Sequence, residues 1–485
     1  MNTLSKITLS LLICFALSSC TKTTILVPDA PAKKTEDLKP ELFEVSVSDI
    51  AHNSAVLKWS ESFDPEYDEV TYTVELEEKQ VASKLTTKTF KLESLSPSRS
   101  YKGKIIAIDP KGNSESVSFE FRTNDGFIKF LKTLYVENPA GMEGRSILAT
   151  SDGGYIIGGR IAFESWNTLM VKVNLLGEVE WYKTLDIYPG NPKLVEVPGG
   201  YAMSSADYVF KFDFNGNLIW KKQIDLQGTT AQGELYSITL TRDNHLVVVG
   251  QEIEDYPFPV TDKTMMSKAA VIKLDLNGQV IWKKLYGDKR RNQATDLVED
   301  QNGNLYLCGD QETGYDLSSL WQFKLDKNGT VLWSRTYENT GFSFAQSIRI
   351  TSDNKLITCG FSSSVTYRIY LVKTELNGDL VKMIKPQFSF AETAYGMVNT
   401  TDGGVAISTS MEGSYVSKAG LLKYDAELNL EWNKTYPGKQ YGNGRSLLQT
   451  SDKGFIMTGV TYGTTTSAGP AGMILIKTNS KGDYE

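Results

Sequence analysis

Thr150–Gly159 reads TSDGGYIIGG, and Leu169–Leu185 reads LMVKVNLLGEVEWYKTL. The first stretch is a tight turn leading into a short apolar run. The second is an apolar run, a turn and a further run that carries Trp181. The whole unit returns down the chain. The turn at Asp152 has counterparts at Pro198, Asp243, Asn302, Asp353, Asp402 and Asp452, at spacings of 45 to 59 residues. The Trp returns at Trp220, Trp282, Trp333 and Trp432, and Lys382 stands in its place in the fifth copy. A fixed period of this length marks a repeat architecture, in which each unit buries its apolar face against its neighbours.

Within a copy, runs such as Leu246–Gly250 (LVVVG) and Leu305–Gly309 (LYLCG) read as strands led by turn residues. Val271–Trp282 (VIKLDLNGQVIW) reads as two strands joined by an Asn-Gly hairpin. A unit of about 50 residues with four short strands is one blade of a β-propeller. The seventh copy stops at Leu475–Glu485, short of its Trp. The missing strand is at the other end: Phe127–Tyr135 (FIKFLKTLY) aligns with VEWYKTL and puts Phe130 in the Trp slot. The expectation is an all-β chain whose residues 125–485 form a seven-bladed propeller, closed by strand 127–135 with no blade edge left unpaired.

Ahead of the propeller the chain divides in three. Met1–Ser19 carries Lys6 and then Ile7–Leu17, an apolar run too short to span a bilayer. It leads into Leu17-Ser18-Ser19-Cys20, which resembles the lipobox of bacterial lipoproteins; the bland reading is a secretory signal with an incidental Cys. The resemblance implies lipidation of Cys20, a membrane partner and, with Thr21 rather than Asp after the Cys, an outer-membrane address on either face. Residues 20–39, rich in Thr, Lys, Pro and Asp, read as a disordered tether. In residues 40–124, Ala55, Leu57 and Trp59 alternate inward on one strand and Val70, Tyr72, Val74 and Leu76 on the next. Leu95–Tyr101 has the spacing of a tyrosine corner, and with Trp59 the segment resembles a fibronectin type III domain. The repeated Asp…Gly…Trp run resembles the tryptophan-docking repeat of quinoprotein-like propellers, which implies that each Trp packs between blades. The domain order resembles uncharacterised envelope lipoproteins of the Bacteroidetes.

The chemistry is mostly read by exclusion. With 51 basic and 58 acidic side chains, net −7, the chain is a poor nonspecific binder of nucleic acid, which needs a basic face. Its 2 histidines, His52 and His245, leave nothing to build a Ser-His-Asp or Cys-His system or a histidine-rich zinc site. The Asp-x-Asn-Gly turns at Asp213, Asp275 and Asp326 admit calcium ligation or plain hairpin chemistry, and the hairpin reading is preferred because no bidentate Glu follows. The loop Asp64–Asp68 is read as solvated rather than as a calcium site. Cys308 and Cys359 hold equivalent positions in adjacent blades and read as buried thiols rather than a bridge. No cofactor and no catalytic residue is assigned.

One candidate site follows from the repeat. The slot of Arg145, at the head of the innermost strand, aligns with Asn191, Tyr236, Thr295, Gln346, Tyr395 and Arg445. Arg145 and Arg445 belong to the first and last blades, which a closed ring makes neighbours. Two cations there would hold a carboxylate, sulfate or sugar acid; otherwise Arg145 pairs with Glu143 in a solvated channel wall. Arg145, Tyr236, Gln346, Tyr395 and Arg445 are the candidate ligand residues. The function expected is a lipid-anchored cell-envelope binding or scaffold protein whose loop face takes a protein or glycan. The alternative is a carbohydrate-active lyase or hydrolase using carboxylates or Tyr on the propeller face, with Tyr236 and Tyr395 the first suspects. A third reading is a scaffold for outer-membrane assembly.

Overall fold

The computed structural model describes residues 37–96, 99–124, 128–137, 139–226, 233–254, 266–288, 291–314, 317–337, 342–363, 367–388, 391–412, 417–438, 441–463 and 471–485. The expected signal segment, Cys20 and most of the expected tether lie outside these residues, as do Pro97, Ser98, Phe127 and most of the loops Gln251–Ser267 and Tyr462–Gly472. All regular structure described is strand. The chain divides into two compact units, Met1–Asp125 and Gly126–Glu485.

The first unit is a β-sandwich. Val45–Ser48, Ala55–Trp59 and Thr89–Leu92 form one sheet, and Lys79–Leu85, Thr71–Leu76, Ser100–Ile108 and Ser114–Arg122 the other. The alternating residues of the second strand, Ala55, Leu57 and Trp59, are buried against Tyr72, Val74, Ile105 and Ala107. The Ser96 amide donates to the Tyr101 hydroxyl at 2.7 Å, which is tyrosine-corner geometry. Asp64 Oδ1 accepts from the backbone amides of Glu66 and Asp68, so the acidic loop is an Asx turn.

The second unit holds seven four-stranded antiparallel sheets. Six use consecutive strands, while the last joins Tyr441–Gln449, Phe455–Tyr462 and Gly472–Thr478 to Phe130–Leu134, with Ile474 opposite Thr133 and Ile476 opposite Leu131. The seven innermost strands are Gly141–Ala149, Lys193–Val197, Glu234–Leu240, Asn292–Glu299, Phe342–Ile350, Ala391–Asn399 and Tyr441–Gln449. Each touches the next, and the last touches the first, which closes the ring. Apolar clusters fill the gaps between blades: Ile147 and Val171 of the first blade pack with Ile456, Met473 and Leu475 of the last.

Three repeated contacts explain the repeat's polar letters. In the turn, Thr150 Oγ1 donates to Asp152 and the buried Lys172 ammonium reaches the same carboxylate; Thr400, Asp402 and Lys423 do likewise, as do Thr450, Asp452 and Lys477. A buried Lys needs that partner, since an unpaired buried charge is costly. In the hairpin, Asp213 Oδ1 accepts the amides of Asn215 and Asn217, so the carboxylate is occupied by its own turn. The hairpin Gly has positive φ and also gives room to the preceding blade's Trp: a Cβ on Gly216 would sit 2.6 Å from the Trp181 ring, and one on Gly482 2.9 Å from Trp432. Phe130 fills the same place against Gly177, so the closing strand is docked as the Trp-bearing outer strands are.

Candidate ligand-binding site

The candidate residues owe their placement to one irregularity repeated around the ring. In the first blade Gly158 pairs with Ser146 and Gly159 with Gly144, so Arg145 has no partner across the ladder. Tyr236, Thr295, Gln346, Tyr395 and Arg445 are skipped in the same way. Each is the extra residue of a β-bulge, which turns a side chain out of the regular alternation. The second blade lacks the bulge, and Asn191 stands just ahead of its strand instead. The bulge also accounts for the Gly that ends YIIGG and its copies. A Cβ on Gly159, Gly250, Gly309, Gly360 or Gly459 would come within 2.3 Å of the carbonyl oxygen just before the bulge. In the sixth blade Thr409 takes this place.

All seven bulge-slot residues line one cavity of about 480 Å3 at the head of the channel. The five sequence candidates Arg145, Tyr236, Gln346, Tyr395 and Arg445 are thus brought together. The remaining lining is Arg160, Lys193, Arg291, Gln293, Phe344 and Phe361. Among the described residues the wall therefore carries five cations and no carboxylate, in a chain whose formal net charge is −7.

The cations differ in how they are held. Arg145 donates to Glu143 Oε2 at 2.5 Å and to Asn191 Oδ1 at 3.4 Å, so the pairing with Glu143 exists. Arg160 donates to the Gly190 carbonyl at 2.8 Å. Asn191 in turn donates to Glu234, whose carboxyl is pushed above its usual range by burial. Arg445 lies 4.0 Å over the Tyr395 ring and, among the described residues, has no ion pair and no hydrogen bond; its buried Nε is unsatisfied. Burial, and after it the like charge of Arg145, holds both Arg160 and Arg445 below the ordinary arginine value. Burial also lowers Lys193, against the pull of Asp296, and it raises the Tyr236 phenol.

A polar clamp is built around Asp296. Asp296 accepts from Ser237 Oγ at 2.8 Å, Ser347 Oγ at 2.9 Å, the Ile348 amide at 3.1 Å and Arg349 Nη1 at 2.8 Å. Its carboxyl is buried, yet Arg349, Lys193 and these donors hold it below the usual range. This carboxylate is saturated by the third and fifth blades and ties them across the fourth. A second space of about 310 Å3 surrounds it, lined in part by Ser146, Ser237, Ser347 and Ser446.

The repeat alignment did not single out Arg160, Lys193, Arg291, Gln293, Phe344 or Phe361. A readable signal exists for two of them: Arg160 and Phe361 each follow the bulge-facing Gly directly. Cys308 and Cys359 are buried free thiols. His245 sits in its turn with Nδ1 3.2 Å from Asp243.

Residues 38–122 match the family model of the fibronectin type III domain. No curated protein matches the chain. Among solved structures, an ulvan lyase of a new polysaccharide lyase family superposes with a TM-score of 0.51 at 9% identity, over 73% of this chain and 97% of that one. A protein of unknown function from Dyadobacter fermentans gives 0.43 at 11%, over 72% and 98%. The exotype rhamnogalacturonan lyase YesX gives 0.39 at 11%, over 90% and 89%. At such identities the likeness concerns fold alone: the chain is an all-β protein with a fibronectin type III domain and a propeller.

Proposed function

We propose that this chain is a lipid-anchored binding protein of a bacterial cell envelope, and that its propeller captures a negatively charged ligand in the central cavity. The observation that carries the ligand reading is the cavity wall, with five cations and no carboxylate among the described residues. Arg445 supports it further, because its buried Nε has no acceptor among the described residues, which is costly unless a ligand completes it. The anchor rests on Leu17-Ser18-Ser19-Cys20, and the outer membrane on the residue that follows.

The test uses the detergent-extracted full chain on a glycan array and in pull-downs from envelope extract, beside the Arg145→Ala/Arg445→Ala double variant. An anionic ligand retained by the parent and lost by the variant is expected. Capture of the same ligands by both forms would sink the cavity reading. For the anchor, Cys20→Ser is expected to move the chain out of the membrane fraction, and unchanged partition would refute lipidation. The lyase or hydrolase reading keeps one observation in its favour: Tyr236 and Tyr395 both line the cavity. Against it, burial raises the Tyr236 phenol, which works against its serving as a base. Following bound ligand for unsaturated or shortened product separates the two.

A further inference from the structure

The cavity is not uniform around its rim. Blade order puts Arg445, Arg145 and Lys193 on the seventh, first and second blades, side by side in the ring. Phe344, Phe361 and Tyr395 come from the fifth and sixth blades, the sixth lying beside the seventh, with Arg291 of the fourth blade on their other side. Phe361 is fixed by its neighbours: its ring stacks on Phe344 at 5.0 Å, meets Tyr367 edge-on at 5.7 Å and tilts against Tyr395 at 6.4 Å. The two arcs meet where the Arg445 guanidinium covers one face of Tyr395 at 4.0 Å, so an aromatic ring and a cation with no hydrogen-bond acceptor among the described residues are immediate neighbours. Three amides also line the wall: Asn191, engaged with Arg145 and Glu234, and Gln293, engaged with Asp310, each keep one amide hydrogen, and Gln346 is the third.

These groups specify a ligand more closely than charge does. An amide both donates and accepts, as does a hydroxyl, so the amide groups match hydroxyls better than they match a bare oxyanion. A flat aromatic face takes the apolar face of a ring. The cation takes a carboxylate or sulfate attached directly to that ring. The volume is in the range of small-molecule sites, roughly 300–1,000 Å3. Building on the anion reading above, we infer that the ligand is an acidic saccharide, whose pyranose ring lies on Phe361 and Tyr395 and whose charged group reaches Arg445 and Arg145.

Calorimetric titration of the full chain with trigalacturonate, galactotriose and sulfate tests this. The trigalacturonate is expected to bind at least about tenfold tighter than either of the others, since one good charge-assisted contact is worth that much. Phe361→Leu keeps an apolar side chain of similar volume and removes the aromatic face. It is expected to weaken trigalacturonate roughly fivefold or more, with a thermal midpoint close to the parent's as the check on folding. Sulfate binding as tightly as trigalacturonate would overturn the saccharide assignment and leave the anion site standing. Unchanged trigalacturonate affinity in Phe361→Leu would do the same. Galactotriose binding as well as the acid, or no binding by either anion, would overturn both readings.

Discussion

At the scale of single residues the cavity is a place where charge is held under tension. Asp310 shows how that tension reaches the wall. It follows the bulge-facing Gly309, the same position that gives Arg160 and Phe361 to the cavity, yet it turns inward and is 4% exposed. Gln293 Nε2 donates to Oδ2 at 2.5 Å and the Ala345 amide to Oδ1 at 2.7 Å. Burial nonetheless pushes its carboxyl up to about 7, with these donors and Arg291 opposing. The unfolded value is near 3.9, so the folded state binds the proton more tightly. The stability contributed is complete below about pH 4 and is lost as pH rises through about 7, amounting to about 4 kcal/mol at most. Asp310→Asn removes the titration. Its unfolding free energy is expected to fall less steeply between pH 5 and 8 than the parent's, as denaturant melts at both pH values would show. Equal slopes in parent and variant would mean that Asp310 ionises normally. Gln293 lines the cavity, so its amide is the group through which this proton touches the ligand site.

At the scale of the element, the bulge is what makes a strand residue a site residue. Gly459 touches no ligand residue's side chain, yet a Cβ there would lie 1.8 Å from the Asn443 carbonyl and force the bulge at Arg445 to shift. Gly459→Ala is expected to cost about 2–3 kcal/mol, as overpacking does, and to weaken anion binding as much as Arg445→Ala. A variant that melts earlier but binds normally would show that Arg445 is aimed by something other than the bulge. The same element explains how much was legible beforehand. The turn, the hairpin and the Trp recur as letters, so seven blades and the slot of Arg145 could be read from the period. The bulge leaves only a Gly at the end of an apolar run, which looks like strand punctuation until the Cβ clash is seen. Lys193 and Arg291 stand two residues after and four residues before their slots, and nothing in the sequence says that those offsets face the same space. The clamp on Asp296 was invisible for a related reason: its donors come from Ser237 and Ser347, two blades apart.

At the scale of the molecule, the ring's stability depends on a strand from the other end of the propeller sequence. Phe130–Leu134 pairs with Gly472–Thr478, and Phe130 docks on Gly177 of the first blade. Without it the last blade would present an open edge, and two blades would lose the contact between them. The second unit, Gly126–Glu485, contains the whole of this closure, whereas the sandwich core is complete within the first unit. Two truncations separate these roles. A chain starting at Gly126 keeps the closing strand and is expected to unfold cooperatively within a few degrees of the full chain's propeller transition. A chain starting at Val136 differs by ten residues and removes that strand. Its midpoint is expected to fall by about 10 °C or more, given roughly 2–4 °C per kcal/mol in domains of 150–250 residues, and it should self-associate through the exposed edge of Gly472–Thr478. Adding the peptide Ile128–Tyr135 in trans should recover part of the loss, because a free strand can refill the same ladder. Equal melting of the two truncations would mean that the blades hold the ring without the strand, and the affinity of Arg145 and Arg445 for a shared anion would then be expected to survive the cut as well.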